Sequence, residues 1–146
     1  GRGPMSQGLL ALLHRANQIA TESFAAALGE SGITARQVQV LAAIEANEGS
    51  SQTQIVEVTG VDRSTLADIV RRLQKNRLIE RRRSKDDARA YVLKLTDAGR
   101  QALASGKPAL AAVEKDLLTA LPAKDRSILL DLLGKAVEAH EARGRA

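Results

Sequence analysis

The sequence contains no cysteine and no tryptophan, and it has one tyrosine and one phenylalanine among 146 residues. Without cysteine, neither a disulfide framework nor a thiol redox switch is possible. Proteins that bind single-stranded nucleic acid stack bases on several aromatic side chains, and this chain has almost none to offer. Duplex DNA is contacted through its backbone and grooves, which requires no aromatics. If nucleic acid is a partner, the composition therefore favours a duplex over RNA or a single strand.

Long apolar runs are also absent. No stretch approaches the roughly 18 uninterrupted apolar residues of a membrane span, and no basic start followed by an apolar segment marks a signal peptide. Together with the absence of cysteine, these features predict a cytoplasmic protein with no membrane partner. Hydrophobic residues still make up 44% of the chain, enough for a folded core. We interpret residues 1–5 as a cloning remnant, Gly1-Arg2-Gly3-Pro4, followed by the start residue Met5.

Positive charge is concentrated in residues 62–89. The basic residues of this segment are Arg63, Arg71, Arg72, Lys75, Arg77, Arg81, Arg82, Arg83, Lys85 and Arg89. Its acidic residues are Asp62, Asp68, Glu80, Asp86 and Asp87. Ten basic against five acidic residues leave +5, which equals the net charge of the whole chain. A solvated face normally mixes both signs, so this concentration favours a polyanionic partner. Charge alone would suit a membrane surface or an acidic protein equally well.

Residues 50–96 have the pattern of a helix, a tight turn, a second helix and a short hairpin. Ser51 and Gln54 form a capping box at the start of the first helix. Gly60 supplies the turn, and Asp62 is the N-cap of the second helix. The apolar stripe of that helix has i, i+3, i+4, i+7 spacing and consists of Leu66, Ile69, Val70 and Leu73. Leu78-Ile79 begins a strand that runs into Glu80-Arg81-Arg82-Arg83, and residues 84–88 are the predicted hairpin tip. In the return strand, Tyr91, Leu93 and Leu95 alternate with Val92 and Lys94. This is the arrangement of a winged helix-turn-helix, which reads duplex DNA.

Helical patterns continue on both sides of this unit. Residues 6–28 predict a helix with a wide apolar face. After the hairpin, Thr96 caps a helix that Pro108 is expected to kink or split. Pro122 fits the first turn of a last helix. The apolar residues of that helix are Ile128, Leu129, Leu132, Leu133, Ala136 and Val137. The predicted fold class is mainly α with a small β-hairpin, a winged helix-turn-helix flanked by terminal helices.

The ordered set of motifs resembles the MarR family of bacterial transcriptional regulators over nearly the whole chain. The motifs that match are Val61-Asp-Arg-Ser-Thr-Leu66, Arg72-Leu73, Leu78-Ile-Glu-Arg81, Asp87-Ala-Arg89, Leu95-Thr96 and Gly99. The resemblance implies a homodimer whose first and last helices form the interface, with a ligand pocket between that interface and the DNA-binding lobe. It divides the chain into a helical dimerisation region, residues 6–33 and 97–146, and a DNA-binding domain, residues 34–96. The implied function is that of a ligand-responsive repressor on a pseudo-palindromic operator.

Polar residues near the start of the recognition helix are candidates for reading bases. Ser64, Thr65 and Asp68 are predicted to face the base edges of the major groove. Asp68 has two alternatives: it accepts from a cytosine amine, or it pairs with Arg72 one turn on. Arg72 is itself among the predicted DNA-binding residues. The phosphate contacts, which position the helix without specifying sequence, are predicted to be Arg63, Arg71 and Lys75.

The hairpin supplies the wing. Arg89 is predicted to enter the minor groove, with Asp87 holding its guanidinium and Lys85 near a phosphate. The alternative for Asp87 and Arg89 is an exposed salt bridge worth under about 1 kcal/mol. In Arg81-Arg82-Arg83, strand alternation predicts that the middle arginine faces opposite to its two neighbours. The run therefore does not form one continuous basic patch.

Small-molecule sites have weaker support in the sequence. His14 and Arg15 are candidates for binding a small anionic or aromatic effector, because the resemblance places the first helix beside the family's pocket. No acid or histidine stands three or four residues after His14, and the chain has no cysteine, so no metal site is predicted. No nucleophile elbow, phosphate loop or metal triad indicates an enzyme, and no cofactor is expected.

Two other classes of function remain open. One is a protein-interaction winged helix whose hairpin docks an acidic partner. The other is a sequence-neutral architectural DNA binder. Salt-dependent duplex binding discriminates against the first, and the ratio of specific to random-sequence affinity discriminates against the second.

Overall fold

The computed structural model describes residues 8–145, without the side chains of residues 30 and 145. Residues 1–5, interpreted as a cloning remnant followed by the start methionine, lie outside the described residues. The helices are α1 (Leu9–Leu28), α2 (Ala35–Ala46), α3 (Gln52–Thr59), α4 (Arg63–Lys75), α5 (Asp97–Leu117) and α6 (Ala123–Arg145). The hairpin consists of strands β1 (Ile79–Arg83) and β2 (Tyr91–Leu95). This confirms the mainly α fold with a small β-hairpin.

Short polar side chains determine where the helices of the central unit begin. The capping box before α3 is present: the backbone N–H of Gln54 donates to Ser51 Oγ at 3.2 Å, and the backbone N–H of Ser51 donates to Gln54 Oε1 at 2.7 Å. Each bond satisfies an amide that the first turn of a helix leaves without a partner. After α3 the chain reverses at Gly60, whose φ of 70° lies in the left-handed region.

The hairpin is antiparallel, with Ile79 opposite Leu95, Arg81 opposite Leu93 and Arg83 opposite Tyr91. At its far side, the backbone N–H of Leu93 donates to the carbonyl of Ser50 at 3.0 Å. The segment before α3 therefore adds to the open edge of β2, and the wing is joined by hydrogen bonds to the helix-turn-helix.

One hydrophobic core joins the helix-turn-helix, the root of the wing and α5. Its fully buried members include Leu41, Ile44, Ile55, Leu66, Leu73, Leu93 and Leu103. The predicted stripe of α4 is buried throughout, with Leu66 and Leu73 at 0% exposure. Because the whole apolar side of α4 packs in the core, the orientation of the helix is fixed and its opposite face is exposed to solvent.

Pro108 does not split α5, contrary to one of the two outcomes predicted for it. The helix continues from Asp97 to Leu117 with the proline inside. Packing accounts for this: α5 lies against both α1 and α2. A Cβ added to Gly106 would lie 2.5 Å from Cγ2 of Val38, so the two helices are in close contact beside the proline. These contacts offset the backbone hydrogen bond that proline cannot donate.

The two terminal helices expose much of their apolar surface. In α6 no residue between 123 and 144 is buried, and the helix packs only lightly on the rest of the described chain. The large hydrophobic side chains exposed on α1 and α6 are Leu9, Leu10, Leu12, Leu13, Ile128, Leu130, Leu132 and Val137. Near its end, α6 passes the turn before α4, where Glu141 Oε1 lies 2.8 Å from the position of a Cβ on Gly60. Within residues 8–145, no helix combines the length and apolar character needed to cross a membrane.

Candidate nucleic-acid interface

The solvent face of α4 is polar and mainly basic. Arg63, Ser64 and Thr65 are exposed in its first turn, and Asp68 is half-buried one turn later. The exposed basic side chains farther along the helix are Arg71, Arg72 and Lys75. These three, with Asp68, line a cleft of about 520 Å³ that reaches the turn at Gly32. The structure thus brings the predicted recognition residues together on one face.

Asp62 organises the start of this face. Its Oδ2 accepts from the hydroxyl of Ser64 at 2.7 Å and from the backbone N–H of Thr65 at 3.1 Å. The pKa of Asp62 is lowered from 3.8 to about 2, mainly by the hydrogen bond from the Thr65 side chain and then by that from Ser64. Hydrogen bonds to the charged form stabilise it. Because the Ser64 proton is directed at Asp62, a hydrogen bond from a base amine would go to the lone pairs of the hydroxyl oxygen.

Asp68 pairs with two arginines in the free chain. Its Oδ1 lies 2.7 Å from Nη2 of Arg71, and its Oδ2 lies 3.2 Å from Nε of Arg72. Of the two alternatives for Asp68, the ion pair with Arg72 is therefore present in this structure. Contact with a cytosine remains a prediction, and it requires these exposed pairs to open at small cost.

The wing tip is held by short backbone contacts. Ser84 Oγ accepts from the backbone N–H groups of Asp86 and Asp87 at 3.1 and 3.3 Å. Asp87 Oδ1 accepts from the backbone N–H of Arg89 at 3.0 Å. Among the side chains that the structure describes, no ion pair joins Asp87 to the guanidinium of Arg89. The structure thus differs from the predicted pairing, because the carboxylate of Asp87 closes an Asx turn over residues 87–89 instead.

The three consecutive arginines of β1 alternate as predicted. Arg82 lies with Glu80, whose Oε1 is 2.8 Å from Nε of Arg82. Arg81 and Arg83 lie on the other face, where both guanidinium groups contact the ring of Tyr91. The alternation of the return strand predicted that Tyr91 lies on the same face as Leu93 and Leu95, but it did not predict a binding role for Tyr91. The cross-strand register, which places Arg83 opposite Tyr91, is the feature that spacing alone did not indicate.

The root of the wing is tied to the start of α5. Thr96 Oγ1 accepts from the backbone N–H of Gly99 at 3.0 Å, and the backbone N–H of Thr96 donates to the carbonyl of Leu78 at 3.0 Å. A Cβ on Gly99 would lie 2.0 Å from that Leu78 oxygen, so a side chain cannot be accommodated there. The Leu-Thr and Gly motifs of the sequence therefore set the angle at which the wing leaves the domain.

Comparison with known proteins places this architecture in a family. A model of the MarR family matches residues 31–90. The chain is 32% identical to the transcriptional repressor CouR, solved with a 23-mer DNA duplex, over 94% of this chain and 97% of that one, with a TM-score of 0.80. The chain belongs to the MarR family of transcriptional regulators.

Two further MarR-family comparisons cover most of the chain. The transcriptional repressor NicR of Pseudomonas putida is 29% identical over 91% of this chain and 84% of its own length. BpsR of Bordetella bronchiseptica, whose DNA binding is described as regulated by 6-hydroxynicotinic acid, is 26% identical over 90% of this chain and 94% of that one, with a TM-score of 0.82.

The two effector candidates lie apart from the residues predicted to bind DNA. His14 and Arg15 are exposed on α1, and Arg15 Nη1 donates to Gln18 Oε1 at 3.2 Å. Neither side chain lines the cleft beside α4 or a cleft of about 490 Å³ beside the wing. Within the described residues, no group of three or more histidine or acidic side chains could hold a metal ion.

Proposed function

We propose that this MarR-family chain is a sequence-specific repressor of transcription that binds duplex DNA as a homodimer. The observation that carries the proposal is the pairing of a polar, exposed face of α4 with a basic wing on the same rigid core. A helix of this size fits the major groove, and a hairpin beside it reaches the adjacent minor groove. The repressor CouR, which shares nearly the whole architecture, was solved with a DNA duplex.

The proposed roles follow the position of each side chain. Ser64 and Thr65 lie exposed at the start of α4, where they would meet base edges. Arg89 at the wing tip would enter the minor groove, and Lys85 would neutralise a phosphate. The carboxylate of Asp87 would shape the tip by accepting from the backbone N–H of Arg89. The remaining basic side chains of α4 would bind phosphates on either side of the major groove, namely Arg63, Arg71, Arg72 and Lys75.

The homodimer is supported by apolar surface that the chain does not cover itself. Leu9 and Leu10 of α1 are 64% and 74% exposed, and Leu130 and Leu132 of α6 are 61% and 58% exposed. A second copy would bury these side chains, at roughly 25 cal/mol per Å² of apolar surface. Residues 6–33 and 97–146 would then form the dimerisation region, and residues 34–96 the DNA-binding domain. Twofold symmetry would place pseudo-palindromic half-sites about 10 bp apart.

We further propose that a small anionic or aromatic effector releases the DNA by changing the distance between the two recognition helices. Support comes from BpsR, whose DNA binding is described as regulated by 6-hydroxynicotinic acid. His14 and Arg15 are the candidates for holding an anionic group, because the exposed face of α1 would border the partner subunit. An effector can shift the equilibrium only as far as its affinities for the two states differ.

Selection of bound duplexes from a random pool tests the proposal. The expected result is enrichment of one pseudo-palindromic sequence, with binding that weakens as salt rises. The same selection should be repeated in the presence of small aromatic acids. An acid that is an effector should reduce the amount of bound DNA relative to the selection without it. Equal affinity for selected and random duplexes would establish the architectural binder instead. Absence of duplex binding at low salt would favour the protein-interaction winged helix.

A further inference from the structure

Tyr91 holds two arginines in place on the wing. It is the single tyrosine of the chain, and its side chain is 42% exposed. Arg83 is its cross-strand partner, and Arg81 is the diagonal neighbour. Their guanidinium carbons lie 5.2 and 5.1 Å from the centre of the ring, within the distance of about 6 Å over which a cation is attracted to an aromatic face. We call these three residues the Arg–Tyr–Arg cluster.

The positive charge of the cluster is not offset by acids. Among the described side chains, no carboxylate forms an ion pair with Arg81 or Arg83. Arg82 between them is paired with Glu80. Arg83 also donates to the backbone carbonyl of Ala88, which joins the cluster to the wing tip. Two exposed cations are thus already ordered by a ring and a carbonyl rather than by a carboxylate.

The cluster lies on the side of the sheet that carries α4. Its residues lie on the same face of the hairpin as Ile79, Leu93 and Leu95, which are all buried. Those three side chains belong to the same core as the apolar stripe of α4. The cluster therefore extends the core-facing side of the hairpin toward the tip. A duplex that receives α4 in its major groove would pass on this side of the wing.

We propose that Arg81, Arg83 and Tyr91 form a second DNA-binding site of the wing, which binds the sugar–phosphate backbone between the grooves. This inference rests on the proposed function and adds a contact separate from the tip residues. The guanidinium groups neutralise phosphates, and Tyr91 acts as a positioning residue that keeps both side chains ordered before binding. When a long side chain becomes ordered only on binding, the affinity falls by about 2- to 12-fold. Because the Tyr91 ring already orders both arginines in the free protein, this loss is reduced and the complex is stronger.

Paired substitutions in β1 separate this site from general charge effects. Arg81→Gln and Arg82→Gln each remove one positive charge from adjacent, exposed positions. Arg81→Gln should reduce the slope of log affinity against log salt by about 0.9, the value for one lost phosphate contact. Arg82→Gln should leave the slope nearly unchanged, because Arg82 lies on the opposite face with Glu80. Equal slopes for the two variants would overturn the proposal.

Substitution of the ring tests the positioning role. Tyr91→Leu keeps the charge, so the salt slope should equal that of the wild type while affinity falls by roughly 3- to 10-fold. Tyr91→Phe keeps the ring and should bind within about twofold of the wild type. Circular dichroism and thermal unfolding would confirm that both variants are folded. Wild-type affinity for Tyr91→Leu would contradict this role.

The outcomes separate failure of the inference from failure of the proposed function. If the wild type binds a selected duplex and Arg89→Ala weakens it, the proposed function stands whatever Arg81→Gln does. If the wild type binds an acidic peptide through Arg81 and binds no duplex, both proposals are wrong, and the cluster is a protein-binding surface.

Discussion

The hydroxyl of Thr96 donates to the carbonyl oxygen of Arg77 at 2.7 Å, across the root of the wing. The bond joins residues 19 positions apart, and the same oxygen of Thr96 caps α5 through Gly99. One side chain therefore fixes the end of α4, the return of the hairpin and the start of α5 relative to one another.

Thr96→Val should destabilise the fold, because an isosteric methyl group removes both bonds and leaves the N-cap of α5 without an acceptor. The expected loss is about 1–3 kcal/mol in the free energy of unfolding, measured by urea denaturation. Thr96→Ser keeps the hydroxyl and should lose much less. If valine and serine variants were equally stable, the hydroxyl would have no such role.

Arg77→Gly should stabilise the protein. Arg77 has φ of 61° and is the one non-glycine residue with positive φ that the structure describes. It ends α4 in a Schellman motif, with the N–H of Leu78 donating to the Leu73 carbonyl at 2.9 Å. Glycine adopts this conformation without the steric cost of a Cβ, so unfolding should require about 0.5–1 kcal/mol more. Asn76→Gly, at a neighbouring position with φ of −86°, should give no gain.

The contribution of Asp62 to stability should depend on pH on the acid side. Its folded pKa of about 2 lies below the unfolded value of 3.8, so its charge stabilises the fold above pH 3.8 and ceases to do so as pH falls toward 2. Asp62→Asn keeps a capping oxygen without the charge. The difference in thermal midpoint between wild type and variant should be constant above about pH 5 and shrink below it. A difference that persists unchanged at pH 2 would contradict this account.

Leu132→Asp should separate the proposed dimer without unfolding the subunit. Leu132 is 58% exposed in the single chain, so a carboxylate there should not destabilise the subunit. In the dimer the partner would bury this carboxylate without a hydrogen-bond partner, which is costly. Sedimentation velocity at micromolar concentration should give a monomer for this variant and a dimer for the wild type. Lys124→Asp introduces the same carboxylate at another exposed position of α6 and should remain dimeric. A monomeric wild type would refute the dimer.

Arg89→Ala should weaken binding to every duplex, more so where an A·T-rich minor groove is narrow. It should also reduce the salt slope by about 0.9, as should Lys85→Ala, which is expected to leave sequence preference unchanged. Titrations of the three proteins over a range of salt concentrations would measure this. Wild-type binding by Arg89→Ala at every salt concentration would exclude the wing tip as a contact.

The companion variant Asp87→Asn tests how the tip is held. Asparagine keeps an oxygen that can accept from the backbone N–H of Arg89, the bond seen at 3.0 Å. Binding should therefore stay close to that of the wild type. A loss as large as that of Arg89→Ala would indicate that the carboxylate holds the guanidinium, as the sequence first suggested.

The sequence by itself determined the features that depend on residues a few positions apart. The capping box of Ser51 and Gln54, the N-cap at Asp62 and the buried stripe of α4 are local patterns of hydrogen bonding and periodicity, and each is present in the structure. The opposite orientation of Arg82 relative to its neighbours likewise follows from the geometry of any strand.

Only the tertiary structure decided the features that depend on residues far apart in the sequence, or on which of two hydrogen-bond donors an acceptor binds. Whether Asp87 binds the backbone or the guanidinium of Arg89 depends on the shape of the tip. The unbroken α5 depends on Val38 packing against Gly106, and the ring of Tyr91 meets two arginines because the hairpin register places Arg83 opposite it. Packing between distant segments decides which of these contacts form. The alternatives differ by small free energies, so the spacing of residues in the sequence does not predict which one is adopted.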